Sequence, residues 1–142
     1  MTESFISKSP NETETIGREL ALSLSAGDVV SLRGTLGVGK TVFVRGMLSG
    51  LGYAGHVPSP TFTFANEYET PRLTAAHFDL YRASDEETLS AAGLYEYLGK
   101  SLIIVEWGDK SDWIREEATV SISISGTGEQ SRVIVVERRN DV

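Results

Sequence analysis

The residues Gly34-Thr35-Leu36-Gly37-Val38-Gly39-Lys40-Thr41 fill the pattern G-x-x-x-x-G-K-[ST] at every fixed position. The spacing has a chemical reason. Glycines let the backbone curl so that successive N–H groups point at phosphate oxygens. A helix that starts there adds its free N-terminal N–H groups and the positive end of its dipole. Lys40 then reaches the β- and γ-phosphates, and the Thr41 hydroxyl is placed to ligate Mg²⁺. At average residue frequencies, roughly one chain in two hundred of this size matches by accident. The context narrows that further, because the β-branched run Val29–Leu32 precedes the motif and a helical pattern follows it. The plain alternative is a glycine-rich strand-to-helix turn with an incidental lysine.

Phosphoryl chemistry on such a loop needs a carboxylate near the metal and a group that orients the attacking water. Two acids stand in suitable places. Glu106 follows the apolar run Leu102-Ile103-Ile104-Val105, the layout of a Walker B element, and ligands collect outside the carboxyl ends of strands in open α/β sheets. Asp79 lies in His77-Phe78-Asp79-Leu80-Tyr81-Arg82, where period two puts His77, Asp79 and Tyr81 on one face and Phe78 and Leu80 on the other. Each has an ordinary reading too: Glu106 as a solvated strand end, Asp79 as a surface partner of Arg82, and His77 as a packed or hydrogen-bonded core histidine. Trp107 reads as core or pocket wall, and Arg138-Arg139 as the solvated end of the last strand.

The elements that must position these groups are visible in outline. Asn11 with Glu14 forms a capping-box pattern before a helix whose stripe is Ile16, Leu20 and Leu24; Ala26-Gly27-Asp28 ends it. Val29–Leu32 reads as a buried strand, and Lys40–Leu51 as a helix with Phe43, Met47 and Leu51 on one side. Residues 53–60 read as a loop, 61–68 and 73–81 as strands, and Ser84 with Glu87 as the start of a helix carrying Leu89 and Leu94. The unbroken run 102–105 suits a strand covered on both faces, and 120–124 with 133–136 suits an antiparallel hairpin. The fold class expected is α/β, a mixed and mostly parallel sheet flanked by helices with a C-terminal antiparallel hairpin. One domain over 1–142 is expected from the length.

Composition sets limits. With 13 Lys+Arg against 20 Asp+Glu, the formal net charge is −7, a poor balance for a stand-alone nucleic-acid binder. No cysteine is present, which excludes disulfides, thiolate metal sites and cysteine nucleophiles. No apolar run approaches the length of a membrane span, and the first residues lack the features of a signal peptide, so a soluble cytoplasmic protein with no membrane association is expected.

Taken together, these motifs resemble the TsaE (YjeE) family of small bacterial ATPases. The matching pieces occur in the family's order: Thr13-Glu14-Thr15-Ile16-Gly17, the loop through Thr41 with Arg45-Gly46, Ser59-Pro60-Thr61-Phe62, His77 to Arg82, and Val105-Glu106-Trp107. The resemblance covers nearly the whole chain. It implies an α/β phosphate-loop fold that binds ATP/ADP and Mg²⁺ and hydrolyses ATP weakly alone. It further implies work with a heterodimer of TsaD and TsaB, nucleotide turnover supporting repeated formation of N6-threonylcarbamoyladenosine in tRNA. Contact with tRNA would be indirect, through that complex. By position, Lys40, Asp79 and Glu106 would be catalytic, Thr41 and Glu106 would serve the metal, and Ser59, Pro60 and Thr61 would form a switch-like loop. Thr13 and Arg132 match positions near the nucleotide. The chain departs from the family at Thr35, where aspartate is usual, at Val42, where a hydroxyl residue is common, and at Gly108, which replaces a frequent proline.

Two other classes of function use the same loop. In a nucleotide-dependent binding switch, ATP would order the loop at Ser59–Phe62 and hydrolysis would be incidental. A small-molecule kinase would need a substrate region and an arginine-bearing lid, for which few residues remain.

Overall fold

The computed structural model describes residues 2–34, 39–55, 65–80, 93–108, 111–126 and 129–139. Seven strands form one sheet: β1 (Thr2–Ser7), β2 (Val29–Arg33), β3 (Ala65–Glu69), β4 (Thr74–Asp79), β5 (Leu102–Glu106), β6 (Val120–Gly126) and β7 (Arg132–Arg138). Their order is β1-β7-β6-β2-β5-β4-β3. The middle is parallel, with β2 against both β5 and β6, and β5 against β4. Both edges are antiparallel. This is the expected mixed α/β sheet, its parallel pairs gathered in the core and the hairpin β6–β7 inside one antiparallel edge.

Helices α1 (Pro10–Ala21) and α2 (Lys40–Gly50) cover one face. Val30, Leu32, Leu102, Ile104, Ile122 and Ile134 point into that core with Phe43, Val44, Met47 and Leu48. The other face is covered by α3 (Asp112–Glu117) and a 3₁₀ turn, Leu94–Tyr97, over Val29, Ile103, Val105, Ala76 and Phe78. Strand β5 is therefore buried on both sides, which is why its sequence is an unbroken apolar run. Strand β6 instead alternates, with Val120, Ile122 and Ile124 buried and the serines between them half-buried or exposed.

Helix α1 begins earlier than its capping box suggests. Ser9, not Asn11, is the N-cap, and its hydroxyl accepts from the Glu12 amide at 3.2 Å. Pro10 explains the shift: its fixed φ and missing N–H suit the first helical position, and Ser9 is the hydroxyl immediately before it. Ser9→Ala is expected to cost about 1 kcal/mol of stability, read as a lower urea midpoint with an unchanged slope.

Two elements carry no periodic signal. Strand β1 is an edge with only Ser7 buried, and α3 spans six residues after a Ser111 cap. Leu94 belongs to the 3₁₀ turn rather than to a helix opening at Ser84, because Gly93 before it adopts φ 84° and interrupts any helix there. Residues 61–64 of the expected strand, and Ser84 with Leu89, lie outside the described residues. No described helix is long and apolar enough to cross a membrane.

Helices α1 and α2 meet backbone to backbone. A Cβ on Gly46 would fall on the carbonyl of Glu14, and a Cβ on Gly17 would fall on that of Phe43. This close crossing brings the first turn of α1 to the first turn of α2, where Cγ2 of Thr13 lies 3.9 Å from where a Cβ on Gly39 would stand.

Candidate functional site

The connection from β2 to α2 carries the G-x-x-x-x-G-K-[ST] sequence. Strand β2 ends at Arg33, and α2 opens at Lys40 with Gly39 as N-cap at φ 107°. A residue with a side chain would be strained at that angle, so glycine is required where the backbone turns into the helix. No side chain caps α2, which leaves its first amides directed out of the helix. Thr35, Leu36, Gly37 and Val38 lie outside the described residues. Gly34 and Thr41 are half-buried at either end of the motif.

Chain order explains why a site forms here. From β2 the chain crosses to β3 at the far edge and returns through β4 to β5, and from β5 it crosses the other way to β6, while β2 and β5 are neighbours. The connections leaving their carboxyl ends therefore run in opposite directions, the arrangement that makes a crevice there and the usual ligand position in open α/β sheets.

Four titratable side chains converge on that end. Lys40, His77, Asp79 and Glu106 are 5%, 0%, 5% and 4% exposed, so neither acid is a solvated strand terminus. Lys40 Nζ donates to the Gly34 carbonyl at 2.5 Å and lies 3.5 Å from the Trp107 ring centroid. A buried ammonium needs such compensation, and a tryptophan face supplies it. Trp107 itself holds φ 62°, a strained angle for a non-glycine residue, directly after Glu106. Its amide donates to the Leu32 carbonyl at 2.8 Å, tying the end of β5 to β2. Trp107 is thus pocket wall, as its sequence position suggests, and more: it is the platform under the loop lysine.

Asp79 and Glu106 stand opposite each other in the β4–β5 register. His77, two residues before Asp79, reaches across to Glu106, with Nε2 at 2.5 Å from Oε2. Its Nδ1 is buried and has no hydrogen-bond partner among the described residues. Leaving such a nitrogen unpaired costs about 1–3 kcal/mol. The period-two assignment of His77 and Asp79 to one face holds; the cross-strand contact to Glu106 depends on register, which no local pattern encodes.

Beside the start of α2 lies a cavity of about 150 Å³ lined by Pro10, Thr13, Gly39, Val42, Glu129, Gln130 and Arg132. It joins Thr13 and Arg132, far apart in sequence, around the N-cap of α2. Thr13 Oγ1 is 2.7 Å from Ser7 Oγ, which itself donates to the Ser9 carbonyl at 2.8 Å. The Ser7 proton is therefore spent on Ser9, and Thr13 is the donor in the first bond. Its methyl group, not its hydroxyl proton, is what Thr13 offers near Gly39. Arg132 Nη1 donates to the Ser131 carbonyl at 2.8 Å. A second, more open cavity of about 590 Å³ lies past Trp107, between Arg33, Gly34 and the end of β6.

Among the described residues, no cluster of three or more acidic, histidine or cysteine side chains is arranged to hold a metal. The oxygen donors available are the Thr41 hydroxyl, next after Lys40 in α2, and the neighbouring carboxylates of Asp79 and Glu106. Hard oxygen donors in that small number fit Mg²⁺, which keeps waters and substrate phosphates in its shell rather than an all-protein cage. Ser59, Pro60 and Thr61 lie outside the described residues.

The family model of the threonylcarbamoyl adenosine biosynthesis protein TsaE matches residues 7–134. This chain belongs to the TsaE family. The tRNA threonylcarbamoyladenosine biosynthesis protein TsaE of Haemophilus influenzae is 36% identical over 122 residues, covering 85% of this chain and 77% of the relative. The protein of the same name from Bacillus subtilis is 38% identical over 126 residues, covering 88% and 78%. That from Treponema pallidum is 36% identical over 132 residues, covering 92% and 97%. The crystal structure of Bacillus subtilis YdiB superposes with a TM-score of 0.80 at 30% identity, covering 99% of this chain and 87% of that one. The TsaE assignment places the chain in the biosynthesis of threonylcarbamoyladenosine in tRNA.

Proposed function

We propose that this chain is a Mg²⁺-dependent ATPase that works in the cytoplasm with the TsaD–TsaB heterodimer, its hydrolysis of ATP to ADP supporting repeated rounds of tRNA threonylcarbamoylation. The observation that carries the reading is the buried Lys40 at the first turn of α2, seated on Trp107 beside Glu106. A buried cation at the opening of an uncapped helix favours a polyphosphate.

In this reading the first amides of α2 and Lys40 hold the β- and γ-phosphates and offset charge that develops between them. Thr41 and Glu106 hold Mg²⁺, Glu106 directly or through water. Asp79, opposite Glu106 in register, is the second acid and orients the attacking water. The cavity between Thr13, Val42 and Arg132 takes the base or ribose end, the Thr13 methyl and Val42 providing apolar wall. When bound, Mg²⁺ neutralises charge on the transferring phosphoryl group. Partner subunits would supply most contacts to tRNA, since the chain carries −7.

The test is phosphate release from labelled ATP by the full chain, alone and with purified TsaD–TsaB, with and without Mg²⁺. Slow Mg²⁺-dependent release that changes when the partners are added is expected. Equal turnover alone and in the complex, or label passing to a metabolite rather than to water, would contradict the reading.

A further inference from the structure

We propose that His77 is a positioning residue for hydrolysis: its Nε2–H fixes the Glu106 carboxylate at the end of β5. The inference rests on the reading of Glu106 as a working acid.

Register supplies the geometry. His77 stands opposite Ile104, and Asp79 opposite Glu106, so His77 and Glu106 are diagonal neighbours on one face. A long side chain spans that diagonal, and here the imidazole does, closing to 2.5 Å. Both groups are buried, so water does not compete for the bond. A glutamate's terminal torsion is broad and roughly two-fold. One donor on Oε2 selects a single carboxylate orientation and leaves Oε1 as the oxygen for the site.

A purely structural role fits the ring less well. A core histidine that serves packing pairs both nitrogens, whereas Nδ1 of His77 is buried without a partner among the described residues. An apolar side chain would fill the same volume with no such penalty. What the histidine adds over one is the bond to Glu106. Groups that orient a ligating or catalytic carboxylate alter rate through that carboxylate.

The experiment compares His77→Gln, His77→Asn and His77→Leu in the full chain. The glutamine amide nitrogen overlays Nε2 and can still donate to Glu106; the asparagine amide overlays Nδ1 and falls short. His77→Asn and His77→Leu are expected to lower kcat about 10- to 100-fold, with KM for ATP little changed and His77→Gln close to wild type. In a Glu106→Gln background, His77→Asn is expected to change kcat less than about two-fold, because a residue acting through Glu106 has nothing left to position. A second readout needs neither nucleotide nor turnover. Long-range ¹H–¹⁵N spectra of ¹⁵N-histidine-labelled chain at one fixed pH should show His77 with its proton on Nε2, with that signal shifted by Glu106→Gln.

Equal rates for His77→Gln and His77→Asn, additive losses in the double variant, or a proton on Nδ1 would overturn the inference. If His77→Asn and His77→Leu do not fold, the labelled wild type and Glu106→Gln still decide it. If Glu106→Gln itself leaves hydrolysis intact, the reading of Glu106 falls and this inference with it. If Glu106→Gln abolishes hydrolysis and His77→Asn leaves kcat within about two-fold of wild type, only this inference falls.

Discussion

Lys40→Ala is expected to lower kcat for ATP hydrolysis by at least about 100-fold, the scale of losing one preorganised donor to developing charge. Lys40 is 5% exposed, and its ammonium sits between the Gly34 carbonyl and the Trp107 ring. That geometry fixes its reach to the loop, so a long, mobile side chain starts close to its working position and little ordering remains to be done. Lys40→Arg is expected to fail nearly as badly. A planar guanidinium needs a wider opening and carries its charge further from the helix start, and the platform is built for a compact ammonium. Steady-state phosphate release checks both variants, with circular dichroism to confirm folding. A Lys40→Ala chain within ten-fold of wild type would mean that the loop is structural and that phosphate is held elsewhere.

Gly46→Ala is expected to destabilise the chain by about 3 kcal/mol. The sign is the informative part. On an open helix surface, replacing glycine by alanine stabilises by about 1 kcal/mol through helix propensity. Here the added Cβ falls on the Glu14 backbone of α1, which cannot rotate away as a side chain would. Either α1 lifts off α2 or the helix distorts, and both separate Thr13 from Gly39. The variant should therefore also bind nucleotide more weakly, although Gly46 is not placed against the nucleotide. Urea unfolding with a nucleotide titration tests the pair of effects. An alanine variant as stable as wild type would show that the α1–α2 crossing is looser than its geometry indicates.

How much was legible in the sequence follows from what each feature depends on. Strand β2, α2 and the glycine at its N-cap were readable because apolar runs, glycine and four-residue spacing are local signals. Strand β5 was readable because burial on both faces leaves an unbroken apolar run. The hairpin β6–β7 was readable for the same local reasons. Strand β1 was not, because as an edge it buries only Ser7 and its residue types show no apolar alternation. The capping box at Asn11 misplaces the start of α1 because Ser9 and Asn11 are both good caps, and Pro10 decides between them. Glu106 and Asp79 could be named as acids from the strand pattern. Their adjacency, and the bond from His77 to Glu106, required the β4–β5 register. Lys40 stacked on Trp107 joins residues from α2 and the end of β5, and no motif states that contact. Gly46 and Gly17 show their role only when the helices are packed, since a glycine alone does not announce what passes close to it.

In the proposed function, hydrolysis at this loop sustains the tRNA modification cycle. The most direct measurement is threonylcarbamoylation of tRNA by purified TsaD–TsaB over several turnovers, with wild-type chain, Lys40→Ala or Glu106→Ala added. Wild-type chain is expected to support product beyond one equivalent of the complex. Either variant is expected to lose hydrolysis and leave modification stalled after the first round. Modification that continues through many cycles with hydrolysis abolished, or that proceeds equally without the chain, would contradict the claim.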